Sequence, residues 1–282
     1  MPLISRKGKP TLHYRVDDHT DPWKNAATLV LQHGYARSSR FWHSWVPYLS
    51  RFYKIVRPDM RGHGESPVDF DPATGSTVEG YVGDIVAVLD DLGLDSVHYC
   101  GESFGGIIGM ALAAEYPQRV RTLSLVASPV YQEEKYQTAM AAGYGSREEA
   151  LRTLGTAKWA AAIYGAPDFF PAGTDQGLRD WYVGEIAKSD AEVLCGLYGL
   201  LRHASAQDLL PRIGAPVLGL YPSTGSVTTP KQEKHLRAGI RNLRMIHLPT
   251  ASHAILTLQP AACAQHVLHF AAQYDGIARH EC

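Results

Sequence analysis

Short, continuous hydrophobic runs alternate along the chain with longer stretches in which apolar residues recur at helical spacing. The runs, rich in Val, Leu, Ile and Tyr, predict β-strands at residues 11–16, 28–32, 53–57, 96–100, 123–127, 217–221 and 243–248. Apolar side chains recur every three or four positions across residues 77–92 and 260–274, which predicts amphipathic helices there. Strands that alternate with helices are typical of a mostly parallel sheet covered by helices on both faces.

One long interval interrupts this alternation. Residues 130–208 contain no convincing strand pattern and are rich in Ala, Tyr, Trp and Gly, with predicted helices at 148–164, 178–188 and 191–203. An insertion between neighbouring strands of an open α/β sheet would lie over the carboxyl ends of the strands, where such sheets bind ligands. We therefore predict an α/β core formed by residues 1–129 and 209–282 and a helical cap at 130–208. The alternative is that these helices merely thicken one face of the sheet.

The composition narrows the functional classes. With 282 residues, 45% hydrophobic residues and a formal net charge of -1, the chain can form one large core and has no basic excess for nucleic acid. No apolar run reaches the ~18 residues that a membrane span needs, and no signal peptide is evident at the N-terminus. The cysteines lack C-x-x-C spacing and are read as free thiols in a reducing compartment: Cys100, Cys195, Cys263 and Cys282. We expect a cytoplasmic protein with a small-molecule substrate, no nucleic-acid or membrane partner, and no metal or other cofactor. The sequence leaves open whether the protein forms a homodimer.

The strongest chemical pattern lies where one predicted strand gives way to a helix. The pentapeptide Gly101-Glu102-Ser103-Phe104-Gly105 follows the strand at 96–100 and precedes a helical stretch that ends before Pro117. A G-x-S-x-G sequence is common by chance, but in a strand-to-helix turn its glycines allow a sharp bend that exposes the serine. Ser103 is therefore the candidate nucleophile.

A serine hydroxyl is a poor nucleophile until a base takes its proton. His253 is the best candidate for that base because it follows the last predicted strand, in a loop that can return to the Ser103 turn; the alternative is a loop histidine satisfied by a backbone carbonyl. Acyl transfer also needs donors directed at the developing oxyanion. The candidates are two backbone N–H groups, those of Phe104 and of Tyr35 in the loop after the strand at 28–32.

Taken together, these motifs resemble the α/β-hydrolase superfamily, in its capped esterase, lactonase and carbon–carbon hydrolase branch. The resemblance runs through His33-Gly34, the turn Asp59-Met60-Arg61-Gly62-His63-Gly64, the Ser103 turn and His253, and covers nearly the whole chain apart from the cap. It implies a mostly parallel, doubly wound sheet with the cap inserted before the penultimate strand. Haloalkane dehalogenases and epoxide hydrolases carry aspartate at the nucleophile position, so the serine argues against both. Hydrolysis through an acyl-serine, or a serine/histidine site used for another reaction, is left.

The family's usual acid, which orients the catalytic histidine, has no match in this chain. It normally follows the strand at 217–221, but the loop from 221 to 230 contains no carboxylate. Some relatives place the acid after the preceding strand, and that position is also empty here.

Four residues stay open for the missing role. Glu133 or Glu134 could reach His253 if the loop after the strand at 123–127 is longer than usual; the alternative is a solvated pair. Ser226 could hold the ring by a hydrogen bond without supplying charge. Glu102 is a weaker candidate, because its side chain should point away from the histidine.

The leading functional hypothesis is a serine hydrolase. It would cleave an ester, lactone, amide or activated carbon–carbon bond of a small organic acid or aromatic catabolite through an acyl-serine. Arg37, in the loop after the strand at 28–32, could bind a substrate carboxylate if it faces the pocket, although a surface arginine is the simpler reading. Two alternatives stay open: a cofactor-free lyase, decarboxylase or oxygenase that uses His253 as base, and a hydrolase-like ligand receptor.

Overall fold

The computed structural model describes residues 2–166, 168–224 and 227–276. Within these ranges, eight strands form one sheet in the spatial order β1-β2-β4-β3-β5-β6-β7-β8. The strands are β1 (Leu3–Arg6), β2 (Lys9–Asp17), β3 (Thr28–Gln32), β4 (Lys54–Pro58), β5 (Val97–Glu102), β6 (Val120–Val126), β7 (Val217–Pro222) and β8 (Leu243–Leu248). Only the β1–β2 and β2–β4 pairs are antiparallel; the other pairs are parallel.

The central strands are rich in apolar residues because the sheet buries both of their faces. Every residue of β3, β5 and β7 is buried, as expected of parallel strands covered on both sides. The predicted doubly wound, mostly parallel sheet is confirmed. β1 was not predicted, because it has four residues and a mixed burial pattern at the sheet edge.

Eleven helices connect or flank the strands in the described residues. They are α1 (Val46–Leu49), α2 (Pro72–Gly75), α3 (Val78–Asp91), α4 (Phe104–Glu115), α5 (Glu134–Ala139), α6 (Arg147–Tyr164), α7 (Gln176–Ile186), α8 (Ala191–Leu201), α9 (Pro230–Gly239), α10 (Ile255–Leu258) and α11 (Pro260–Asp275). Short 3₁₀ turns occur at Ser39–Trp42, Pro117–Arg119 and Gln207–Arg212. None of the helices in the described residues is long and apolar enough to cross a membrane.

Helices α5 to α8, which we call the helical insertion, separate β6 from β7. The segments just before α5 and just after α8 contact each other: the Ala206 N–H donates to the Val130 carbonyl at 2.9 Å, and Tyr131 forms a β-bridge with Ser205. α6 bends where Gly155 leaves the helical region with φ 74°.

The helical insertion contacts loops that follow the strands. The Trp159 and Tyr35 rings meet edge to face at 6.3 Å, and the Ser252 hydroxyl donates to the Phe169 carbonyl at 3.2 Å. Residues 130–208 therefore approach the segments that carry the predicted chemistry.

The Asp59–Gly64 turn is held by buried hydrogen bonds and by the Arg61–Asp84 ion pair. Asp59 accepts from the Ser39 N–H at 2.6 Å and lies 2.7 Å from His13 Nδ1. Arg61 donates to Asp84 at 2.7 Å. These charges brace the loops beside the sheet.

Candidate active site

Ser103 occupies a strained turn between β5 and α4. Its φ of 53° and ψ of -119° lie in a region that non-glycine residues rarely adopt. The turn also runs close to β3: a Cβ at Gly105 would lie 2.4 Å from the Gln32 carbonyl oxygen. Glycine is therefore required there, and the strain presents the Ser103 hydroxyl at the carboxyl end of the sheet.

The structure brings the predicted base to the predicted nucleophile. His253, in the segment between β8 and α10, has its Nε2 atom 3.1 Å from Ser103 Oγ, which is hydrogen-bond distance. Burial, with a smaller contribution from the Arg37 charge, lowers the pKa of His253 to about 3. The imidazole is therefore neutral at ordinary pH, the form in which Nε2 can accept the serine proton.

The structure does not bring a predicted acid to the other side of this ring. Glu133 accepts hydrogen bonds from Thr229 Oγ1 at 2.7 Å and from Gln232 Nε2 at 3.4 Å, and Glu134 is exposed on α5. Ser226 lies outside the described residues. Across 2–166, 168–224 and 227–276, no hydrogen bond or ion pair to His253 Nδ1 is found. No contact in the described residues therefore supports the prediction that Glu133 or Glu134 orients His253.

Glu102 has a different position from the one expected. The expectation that its side chain points away from the histidine is wrong, because Glu102 Oε1 lies 3.6 Å from His253 Nε2. Its other oxygen, Oε2, accepts from the Gly34 N–H at 3.0 Å. Burial raises the pKa of Glu102, while Arg37 and the Gly34 N–H oppose that rise. The carboxyl group therefore faces the nitrogen that also faces Ser103, rather than Nδ1.

Arg37 is a buried residue and not a surface arginine. Its Nη1 lies 3.3 Å from Glu102 Oε1, and its Nη2 donates to the Tyr182 hydroxyl on α7. Burial acts to lower the pKa of Arg37, but the neighbouring Glu102 and tyrosine groups more than offset this and leave it raised. Arg37 borders the cavity at Ser103, and its charge is already paired within the protein.

The loop after β3 comes against the nucleophile turn. A Cβ at Gly34 would lie 2.8 Å from the Ser103 Cβ, so only glycine permits this approach. His33 braces the loop: its Nδ1–H donates to the Gly34 carbonyl at 2.9 Å, and its Nε2 accepts from the Met60 N–H at 3.0 Å. Burial is the main reason that the pKa of His33 is lowered to about 3.

The two candidate oxyanion donors are free of competing backbone acceptors. Within the part of the chain that the structure describes, neither the Tyr35 N–H nor the Phe104 N–H bonds to another backbone carbonyl. Phe104 opens α4, so its N–H is one of the unsatisfied donors of a helix N-terminus. Both groups are available to a ligand oxygen.

A small cavity of about 20 Å³ lies at Ser103 and His253. Both core and helical insertion line it: Tyr35, Arg37, Ser103, Phe104, Ile107, Pro129, Gln132, Tyr136, Arg147, Tyr164, Leu201, Val227 and His253. Arg147 was not predicted as a site residue from the sequence. The only signal for Arg147 was its place directly after Ser146, which caps α6, where a cation is unfavourable to the helix dipole.

Known proteins are similar to this chain in fold and, at 25–28% identity, in sequence. A 3-oxoadipate enol-lactonase 1 of Acinetobacter baylyi is 25% identical over 231 residues, which cover 80% of this chain and 80% of that protein. A pimeloyl-(acyl-carrier protein) methyl ester esterase of Neisseria meningitidis serogroup B is 28% identical over 246 residues, covering 80% of this chain and 85% of the esterase. The crystal structure of the enol-lactonase from Burkholderia xenovorans LB400 matches with a TM-score of 0.82 and 26% identity, over 95% of this chain and 99% of that one.

The family assignment agrees with the strand order, the nucleophile turn and these relatives. The sequence profile of the alpha/beta hydrolase fold family matches residues 27–258, which is most of the chain. The chain therefore belongs to the α/β-hydrolase family and is an enzyme of hydrolase type.

Proposed function

We propose that this protein is a serine hydrolase that works through an acyl-serine intermediate. The observation that carries the proposal is the 3.1 Å contact between Ser103 Oγ and the neutral His253 Nε2. The Ser103 oxygen forms a bond to the substrate carbonyl carbon while its proton passes to Nε2. The imidazolium then protonates the leaving group as its bond to the carbonyl carbon breaks. Water repeats the sequence on the acyl-serine, which releases the acid and regenerates Ser103.

The backbone N–H groups of Tyr35 and Phe104 are the proposed oxyanion donors. Both lack a competing backbone acceptor in the described residues, and Gly34 brings the Tyr35 loop against Ser103. Donors fixed in place before the reaction stabilise the oxyanion without reorganising, and one such donor is typically worth about 10²–10³ in kcat.

Glu102 would supply a negative charge to this site, since no carboxylate among the described residues contacts His253 Nδ1. Its Oε1 atom, 3.6 Å from Nε2, would stabilise the imidazolium that forms when Ser103 is deprotonated. Losing the orienting function of a triad acid can cost on the order of 10⁴ in rate. We therefore expect substrates with reactive acyl groups.

The proposed substrates are small organic acids or aromatic catabolites that contain an ester or lactone bond. Compounds that contain an amide or an activated carbon–carbon bond are less favoured substrates. The names of two relatives, an enol-lactonase and a methyl ester esterase, support the first two bond types. We also propose that the enzyme acts in the cytoplasm, where its buried thiols Cys100, Cys195 and Cys263 would stay reduced. The proposed helical cap, residues 130–208, would select the substrate.

One observation favours a second candidate. With no partner found at His253 Nδ1 in the described residues, the site could instead serve a cofactor-free lyase, decarboxylase or oxygenase in which His253 removes a substrate proton. A fluorophosphonate probe separates the two: it should label Ser103 in a hydrolase, whereas turnover without labelling would favour the proton-transfer enzyme.

The direct test is the hydrolysis of 4-nitrophenyl esters by purified protein. Ser103→Ala should abolish turnover and labelling by the fluorophosphonate, while Ser205→Ala, at an exposed serine, should retain both. Turnover retained by Ser103→Ala would contradict the proposal.

A further inference from the structure

Arg147 is the most deeply buried arginine of the described chain, with 1% of its surface exposed. Its Nε and Nη2 atoms are buried without a hydrogen-bond partner among the described residues. The guanidinium carbon instead lies over aromatic rings, 4.0 Å from the centroid of Tyr198 and 5.0 Å from that of Tyr35. The cation is thus surrounded by π faces, and no anionic partner is found for it among the described residues.

The other buried arginines each have a carboxylate partner. Arg37 pairs with Glu102 at 3.3 Å, Arg57 with Asp17 at 2.7 Å, and Arg61 with Asp84 at 2.7 Å. Among the described residues, Arg147 is the buried arginine for which no carboxylate partner is found. A buried charge without a counterion is costly, and aromatic faces compensate it only in part.

The position of Arg147 increases the free-energy cost of burying its charge and shows where a counterion could bind. It is the first residue of α6, where the positive end of the helix dipole disfavours a cation. It also lines the cavity that holds Ser103 and His253. An anion that enters this cavity would meet a guanidinium with unused donors, and a planar carboxylate matches such a fork best.

We propose that the substrate carries a carboxylate, separate from the bond that is cleaved, and that Arg147 binds this group. The inference rests on the proposed hydrolase function of the same cavity. The positive dipole end of α6 and the charge of Arg147 act on the anion in the same direction. Substrates with a neutral group in its place leave the cation unpaired, so they should react more slowly.

The test compares acid and neutral substrates that are otherwise matched. The acid probes are mono-4-nitrophenyl esters of C4 to C8 dicarboxylic acids, with the carboxylate on the acyl side, and 4-acetoxybenzoate, with it on the leaving-group side. The neutral probes are the corresponding methyl esters. Arg147→Met should lower kcat/KM about 10- to 100-fold on at least one acid probe, as expected for the loss of a charge-assisted hydrogen bond, and change the neutral probes less than about threefold.

Two variants serve as controls. Arg147→Lys keeps the charge and should retain part of the preference for acids. Arg152→Gln removes an exposed arginine of the same helix that pairs with Glu192 at 2.9 Å, and should change neither class of probe. Equal losses on acid and neutral probes would assign Arg147 a structural role and overturn the proposal, as would no loss on either.

A binding measurement separates this proposal from the hydrolase proposal. Adipate should raise the melting temperature of Ser103→Ala protein, adipamide should not, and adding Arg147→Met or Arg147→Lys should remove or weaken the shift. If no ester is hydrolysed but adipate binds through Arg147, the hydrolase function fails and the anion site stands. If neutral esters are hydrolysed but no acid is preferred or bound, the anion site fails and the hydrolase function stands.

Discussion

Replacing Glu102 by glutamine should destabilise the protein far more than its small change in shape suggests. Glutamine has nearly the same volume and can still accept the Gly34 N–H, so packing and that hydrogen bond can persist. It removes the negative charge 3.3 Å from Arg37 Nη1, in a place where neither side chain reaches solvent. The variant therefore leaves the Arg37 guanidinium buried and unpaired.

The magnitude follows from the distance. Two unit charges 3.3 Å apart attract by about 5 kcal/mol at an effective dielectric constant of about 20. Breaking a buried ion pair by removing one partner typically costs about 3–5 kcal/mol. We expect Glu102→Gln to lower the free energy of unfolding by about 3–5 kcal/mol. The double variant Glu102→Gln with Arg37→Met should recover part of this loss, because it removes the stranded charge.

Urea unfolding monitored by tryptophan fluorescence gives the free energies for wild type, both single variants and the double variant. Glu192→Gln is the matched control, because it removes one charge from an exposed ion pair and should cost at most about 1 kcal/mol. A Glu102→Gln protein as stable as the control would refute the reasoning. So would a double variant that loses the sum of the two single effects, since the two side chains would then not interact.

The remaining predictions concern pH and the loop after β3. The pKa of His253, lowered to about 3, should leave kcat/KM without an inflection near pH 6.5 as the pH falls from 8 to 5; a clear inflection there would contradict a neutral, buried base. The pKa values of His253 and His33 are lowered in the folded protein. Below about pH 6.5, these two side chains therefore bind protons in the unfolded chain but not in the folded chain. Stability should therefore fall between pH 6.5 and 3, by about 2 kcal/mol for each group at pH 5, and His33→Gln should flatten this dependence in urea titrations. Gly34→Ala should lower kcat by at least about 10²-fold, because its methyl group would lie 2.8 Å from the Ser103 Cβ, and normal turnover in ester assays would show that the loop can move away.

The local patterns of the sequence were sufficient for the sheet and for the reacting pair. β3 and β8 have the predicted bounds, because short segments rich in apolar residues mark strands that are buried or half-buried in a parallel sheet. The contact between Ser103 and His253 was predictable because both residues follow strands, and the carboxyl ends of parallel strands meet at one edge.

The electrostatic network around this pair could not be read from the sequence. It joins Glu102 at the end of β5, Arg37 in the loop after β3 and Tyr182 on α7. No periodicity links these three positions, and the direction of the Glu102 side chain depends on how the Gly34 loop folds back. The unpaired state of Arg147 is equally a property of the packed insertion, since it depends on which carboxylates fail to come near.

The way the helical insertion joins the sheet bears on how such enzymes diverge. Val130 and Ala206, which flank it, are joined by a backbone hydrogen bond, and the neighbouring Tyr131 and Ser205 form a β-bridge. A backbone contact places little demand on side-chain identity, so mutations can accumulate between these points without disturbing strand pairing. The same sheet and nucleophile turn can then be retained through evolution while the inserted helices change, and a new specificity can arise by exchanging this one segment.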